Sequence, residues 1–165
     1  MISAPDIYLA AKTEKKALMD SLEEDMRELY ITTSTKMNYN ADNLDVQVIH
    51  DAGSMVVKEK LIQSKAPVHN GSFETNEENE AFLQAVFDTK DNIHEILKVL
   101  RRFGKPEIYL WTPSQESRER EPSRCVQLGF GHGGLDVDAF YGLGYVNGLS
   151  RGVTLGLANQ HEQNT

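Results

Sequence analysis

Asp136 and Asp138 stand two residues apart, with His132 four positions before the first of them. Carboxylates at that spacing fall on one face of an extended segment, and with an imidazole nearby they could share a divalent cation. Alternatively His132 would be a general base, with Asp136 or Asp138 orienting it, as a small hydrolase requires. The simpler expectation is turn chemistry, because aspartates in such a pair readily bond their own backbone and face solvent. The same stretch, Gly129-Phe130-Gly131-His132-Gly133-Gly134, matches the G-x-G-x-x-G pattern of phosphate-binding loops, which makes Gly129, Gly131 and Gly134 cofactor candidates. A dinucleotide loop needs a helix starting at its last glycine and an acid about 20 residues further on for the ribose. Here the chain continues with more glycines, no acid stands near position 154, and 31 residues remain after Gly134. No cofactor is expected.

The other reactive side chains give less. His50, His69, His94 and His161 are scattered without metal-ligand spacing, and the single cysteine, Cys125, excludes an internal disulfide and a multi-cysteine zinc site. No metal site is expected. Arg124 beside Cys125 could lower its thiol pKa, yet the apolar run Cys125-Val126-Gln127-Leu128 reads more simply as packing.

Nine of the twelve glycines lie between Gly129 and Gly156, and they recur in a pattern: Leu128-Gly129-Phe130-Gly131, Tyr141-Gly142-Leu143-Gly144, then Leu155-Gly156-Leu157-Ala158. In a strand this alternation sets large apolar groups on one face and bare backbone on the other, where a ring or another chain can approach closely. Together with a strand at Glu107–Thr112, whose Tyr109 and Trp111 face away from Ile108 and Leu110, the spacing predicts a four-stranded antiparallel meander over 107–158, followed by a tail at 159–165.

Upstream, Leu18, Leu22, Met26, Leu29 and Tyr30 keep helical spacing, predicting an N-terminal helix within 1–37 that stops between 31 and 37. Weak alternation at Leu44–Ile49 and a β-prone run at Ser54–Ile62 predict a hairpin over 44–63. Thr75 with Glu78 has the form of a capping box opening a helical region over 75–103, which Asp88-Thr89-Lys90-Asp91 could divide. Gly104 and Pro106 close it. Residues 113–124 carry alternating charges and read as an exposed, mobile connection. The whole is expected to be one α+β domain, 1–165, with helices on one face of an antiparallel sheet.

The charge of −8 is uneven, with −7 in residues 1–80 and −1 in 81–165. Such a surface repels phosphate backbones, so direct nucleic-acid binding is disfavoured. The longest apolar stretch near the start, Ile7–Ala11, is too short for a membrane span or a signal core, and a cytoplasmic protein without a membrane partner is the expectation. A sheet face of bare glycines and aromatics would need a cover, either a protein partner or a second copy. The function expected is therefore a non-enzymatic protein-binding or assembly module, forming a homo-oligomer or binding another protein. Its contact candidates are Arg118, Arg120 and Arg124 on the connection and Tyr109 and Trp111 on the sheet. An inhibitor presenting Glu23, Glu24 and Glu28 to a basic protein is a further expectation, beside the hydrolase or ligand-binding reading at His132.

Overall fold

Ser3 starts the first helix through a reciprocal cap. Its hydroxyl accepts the Asp6 N–H at 3.3 Å, and the Asp6 carboxylate accepts the Ser3 N–H at 3.2 Å. Helix α1 spans Ala4–Lys12. Thr13 then turns its hydroxyl onto the Leu9 carbonyl at 2.7 Å and Glu14 takes a left-handed φ of 53°, so the chain breaks before α2 at Lys16–Glu28. The next element is a strand, β1, at Tyr30–Tyr39. The single helix expected within 1–37 is thus two helices and most of a strand. Ile31, Thr32, Thr33 and Thr35 are β-branched, which disfavours helix and suits a strand paired on both sides.

The computed structural model describes residues 1–55, 57–68, 71–131, 133–139 and 148–150, with 71–74 and 148–150 as backbone alone. The other strands are β2 (Asp45–His50), β3 (Lys60–Lys65), β4 (Gly71–Glu74), β5 (Ile108–Thr112), β6 (Ser123–Gly131), β7 (Gly134–Asp138) and β8 (Gly148–Ser150). They form one sheet in the order β3-β2-β1-β6-β7-β5-β4, and β8 lies against the N-terminal part of β1. Neighbours are antiparallel except for β5 with β7 and β1 with β8. The hairpin's second strand begins at Lys60 rather than at Ser54. Asp51 and Gly53 hold positive φ angles of 56° and 74°, and the Ser54 hydroxyl accepts the Val57 N–H at 3.0 Å, so local bonds keep this segment out of the ladder.

Asn76, not Thr75, caps the helical region, because the Thr75 hydroxyl is spent on the Ile108 carbonyl at 3.2 Å. Helix α3 covers Glu80–Phe87 and α4 covers Ile93–Leu100, separated at Asp88, whose φ is 48°. Gly104, at φ 77°, ends the region. Ile31, Val46, Val48, Ile108, Leu110, Val126, Leu128, Leu135 and Val137 from the sheet join Ile7, Leu22, Phe82, Val86, Ile96 and Leu100 from the helices in one buried cluster. The fold is α+β, with a mostly antiparallel sheet and each such side chain contributing roughly 1.5–3 kcal/mol by leaving water.

Two expectations are corrected within the C-terminal half. Residues 113–124 are not an exposed arm. Ser114 caps a short helix, α5, at Gln115–Arg120, whose Arg118 is fully buried, and Arg124 is 5% exposed. The strand at Ile108–Thr112 is also not the first member of an antiparallel meander. It lies parallel to β7, because α5 and β6 intervene in the chain and β6 crosses to pair with β1. The repeats at 141–144 and 155–158, and the tail at 159–165, lie outside the described residues.

Candidate functional site

On the sheet face opposite the apolar cluster, the register assembles a polar and aromatic layer. Gly129 on β6 and Tyr109 on β5 both stand opposite Asp136 on β7, and the Tyr30 ring of β1 lies over Gly129. In the next row Thr32, Gln127, Asp138 and Trp111 follow one another across the same four strands. The Tyr30 hydroxyl donates to the Asp136 carboxylate, and the Gln127 amide donates to the Thr32 hydroxyl at 3.0 Å. Asp136 and Asp138 are 0% and 2% exposed. They are strand residues sealed in a layer, not the solvated turn aspartates that their spacing suggested.

The glycines make this layer possible. A Cβ at Gly129 would sit 2.7 Å from the Tyr30 ring, and one at Gly134 would sit 2.8 Å from the Tyr109 ring and 2.6 Å from the Glu107 carbonyl oxygen. A Cβ at Gly131 would meet the Asp136 carboxylate and, at 2.7 Å, the Tyr30 hydroxyl. Gly131 and Gly134 close β6 onto β7, with Gly133 at φ 86°, and Gly134 begins a strand rather than a helix. The amide-lined helix start that a phosphate loop uses does not follow this sequence. His132 lies outside the described residues, and the structure therefore places Asp136 with Asp138 but does not place His132 with either.

The remaining candidates separate. The Arg118 guanidinium donates to the carbonyls of Pro113 at 3.2 Å, Ala66 at 3.4 Å and Pro67, and lies 4.6 Å from the centre of the Tyr39 ring. Arg124 donates to the carbonyls of Glu121 at 2.8 Å and Ser117 at 2.7 Å. Both arginines clamp α5 and its flanks inside the protein and cannot also serve a partner. Arg120 is on the surface, paired to Glu116 at 2.6 Å. Tyr109 and Trp111 are half-buried, Glu23 pairs with Arg27 at 3.6 Å, and Glu24 and Glu28 are exposed on α2. Burial pushes the Cys125 thiol up, with Lys36 pulling the other way. Among the described residues, no group of three or more His, Cys, Asp and Glu side chains is placed to hold a metal ion. No described helix is long and apolar enough to cross a membrane.

A different surface has the geometry of a contact site. The Ala66 N–H donates to the Leu44 carbonyl at 2.8 Å and the Asn40 N–H donates to the Asp45 carbonyl at 2.9 Å. Because antiparallel bonds alternate, these two fix the parity of the ladder. Ile62 and Ser64 bond toward β2, whereas Leu61, Gln63 and Lys65 direct their N–H and C=O groups outward. Among the described residues no strand pairs with β3 on that side. Beside the edge, an open groove of about 650 Å³ runs between β3 and α3, lined by Ile62, Gln63, Ser64, Ala81, Gln84 and Asp88. Leu61 is 52% exposed. Sequence reasoning missed this edge because Lys60–Lys65 has weak alternation, and nothing local shows that β2, rather than β3, joins the sheet interior.

Compared with protein-family models, curated proteins and solved structures, the chain matches none of them.

Proposed function

We propose that the protein is a non-enzymatic protein-binding or assembly module that works by adding a strand of its partner to the β3 edge. The supporting observation is the outward row of backbone donors and acceptors at Leu61, Gln63 and Lys65, flanked by the α3 groove. Such an edge is a template for an extended segment, with main-chain bonds giving affinity and neighbouring pockets giving specificity. Chains that expose an edge ordinarily blunt it with charge. Here Lys60, at one end, is engaged within the protein, while Lys65, at the other, is in a longer, solvent-exposed pair that leaves it within reach of an incoming carboxylate. Lys60 reaches Asp88 at 2.7 Å and Lys65 reaches Asp45 at 3.4 Å.

The test is site-specific photo-cross-linking of the full chain in its own cells, with a benzophenone amino acid at Gln63 and, separately, at Glu24 on α2. The expected result is a discrete protein adduct from position 63 and none from position 24. An adduct from position 24 alone would favour the acidic inhibitor that offers Glu24 and Glu28 to a basic protein. Absence of any protein adduct from both positions would overturn the binding reading.

A further inference from the structure

Resting on the strand-addition reading, we infer that the segment β3 receives is β3 of a second copy, paired antiparallel about a two-fold axis at Ile62. An antiparallel self-pairing must bring outward-directed residues opposite outward-directed residues, which Leu61, Gln63 and Lys65 allow for axes at Leu61, Ile62 or Gln63. Side-chain chemistry separates the three. An axis at Gln63 places Lys65 opposite the partner's Leu61 and Lys60 opposite the partner's Ala66. An axis at Leu61 places Lys60 opposite the partner's Ile62 and Lys65 opposite the partner's Val57. Both leave charges facing apolar groups.

The axis at Ile62 leaves one lysine, Lys58, opposite the partner's Ala66, but of the three it is the register that sets opposite charges against each other. It sets Glu59 opposite the partner's Lys65, and by symmetry Lys65 opposite the partner's Glu59, so two ion pairs close the ends of the interface. Glu59, exposed and just before β3, accepts the Gly53 N–H at 2.8 Å through one carboxylate oxygen, so the pair with the partner's lysine needs its side chain to share or release that surface bond. Between these ends Leu61 lies along the aliphatic part of the partner's Gln63, and Ile62 meets the partner's Ile62. Leu61, half-exposed in the single chain, is thereby covered. Ile62 is half-buried on the α3 side, where the pairing extends the apolar floor of the groove from one copy into the other. The edge is thus self-complementary in hydrogen bonding, in charge and in apolar contact at one register.

Sedimentation velocity and native mass spectrometry of the full chain, from micromolar to sub-millimolar concentration, test this with four variants. Gln63→Pro removes an N–H that points away from β2, so it blocks edge pairing while keeping the internal ladder. The expected results are a wild-type dimer, a Gln63→Pro monomer with unchanged far-UV circular dichroism, and dimerisation weakened about tenfold in Lys65→Glu or in Glu59→Lys, because symmetry makes two contacts repulsive. The double variant Glu59→Lys/Lys65→Glu regains the dimer. If Gln63→Pro fails to fold, the charge exchange decides alone. A wild-type chain that is monomeric at every concentration overturns self-pairing, while a Gln63 cross-link to a different protein would still uphold strand addition. A dimer that survives Gln63→Pro, or a double variant no better than the singles, overturns the Ile62-centred interface.

Discussion

At the scale of single residues, bare glycine and buried histidine do the most to determine what this chain tolerates. Gly129 is glycine because the Tyr30 ring occupies the place of its side chain. Gly129→Ala should destabilise the protein by about 1–3 kcal/mol, the usual cost of overpacking, and should do so far less in a Tyr30→Ser background. Urea midpoints for the four chains of that cycle measure the difference, and additive losses would show that the ring is not the obstacle. His50 is buried, with its Nε2 2.9 Å from the Ala85 carbonyl and its Nδ1 3.1 Å from the Thr35 hydroxyl. A carbonyl only accepts, so Nε2 carries the proton and Nδ1 receives the Thr35 hydroxyl, which itself accepts the Ala4 N–H at 3.0 Å. Burial lowers the His50 pKa below its ordinary 6.5, against smaller upward pulls from the Ala85 carbonyl, Asp88 and Asp51, while Lys60 pushes the same way as burial. The unfolded chain therefore takes up a proton that the folded chain refuses. This contribution to stability is complete above pH 6.5 and is lost as the pH falls below it. His50→Gln should flatten the acid slope of the unfolding midpoint between neutrality and pH 5, and an unaltered slope would assign the sensitivity to other groups.

At the scale of elements, α5 shows why a charge pattern misleads about exposure. Glu116, Arg118, Glu119, Arg120 and Glu121 alternate in sign as a solvated loop would, yet a six-residue helix has one inward position, and Arg118 takes it. Its planar fork suits three converging carbonyls as a lysine ammonium would not. Arg118→Lys and Arg118→Met should each cost roughly 2–3 kcal/mol, because a lysine ammonium cannot reach all three buried carbonyls at once and a thioether donates to none. Arg120→Ala, removing an exposed pair with Glu116, should stay within about 0.5 kcal/mol of wild type. Thermal unfolding of the three variants checks the contrast, and equal effects at 118 and 120 would return both to the surface. The same distinction governs how much of the fold was legible. The Gly104 end of the helical region and the inward set Ile108 and Leu110 were readable because local chemistry decides them. The Tyr30–Tyr39 strand was not, since Leu29 and Tyr30 continue the helical spacing of α2 and only pairing with β2 and β6 makes the strand the better choice. The Asp136–Asp138 spacing was readable as a shared face. Its burial was not, because it depends on Tyr30 and Trp111 arriving from strands 106 and 27 residues away in sequence.

At the scale of the whole molecule, β1 joins two halves that the sequence presents separately. Among the described residues the hairpin of β2 and β3 pairs with the rest of the sheet through β1 alone, and β1 in turn is held by β6 from the other half of the chain. Thr33 reinforces that seam, its hydroxyl donating to the Val126 carbonyl at 2.8 Å across 93 residues. An isolated N-terminal half would thus expose one edge of β1 and the apolar side of β2 together, and an isolated C-terminal half would expose the edge of β6. Neither half can keep its backbone groups paired without the other. The chain should therefore unfold in one transition, although its charge is concentrated in the first 80 residues. Trp111, the single tryptophan, lies on β5 and reports the C-terminal strands by fluorescence, while far-UV circular dichroism reports helices α1 to α4 as well. Coincident urea midpoints from the two signals are the expected outcome. A dichroism transition that precedes the fluorescence change would mean that the N-terminal layer opens on its own, and that the β1–β6 seam is weaker than the protein's global stability.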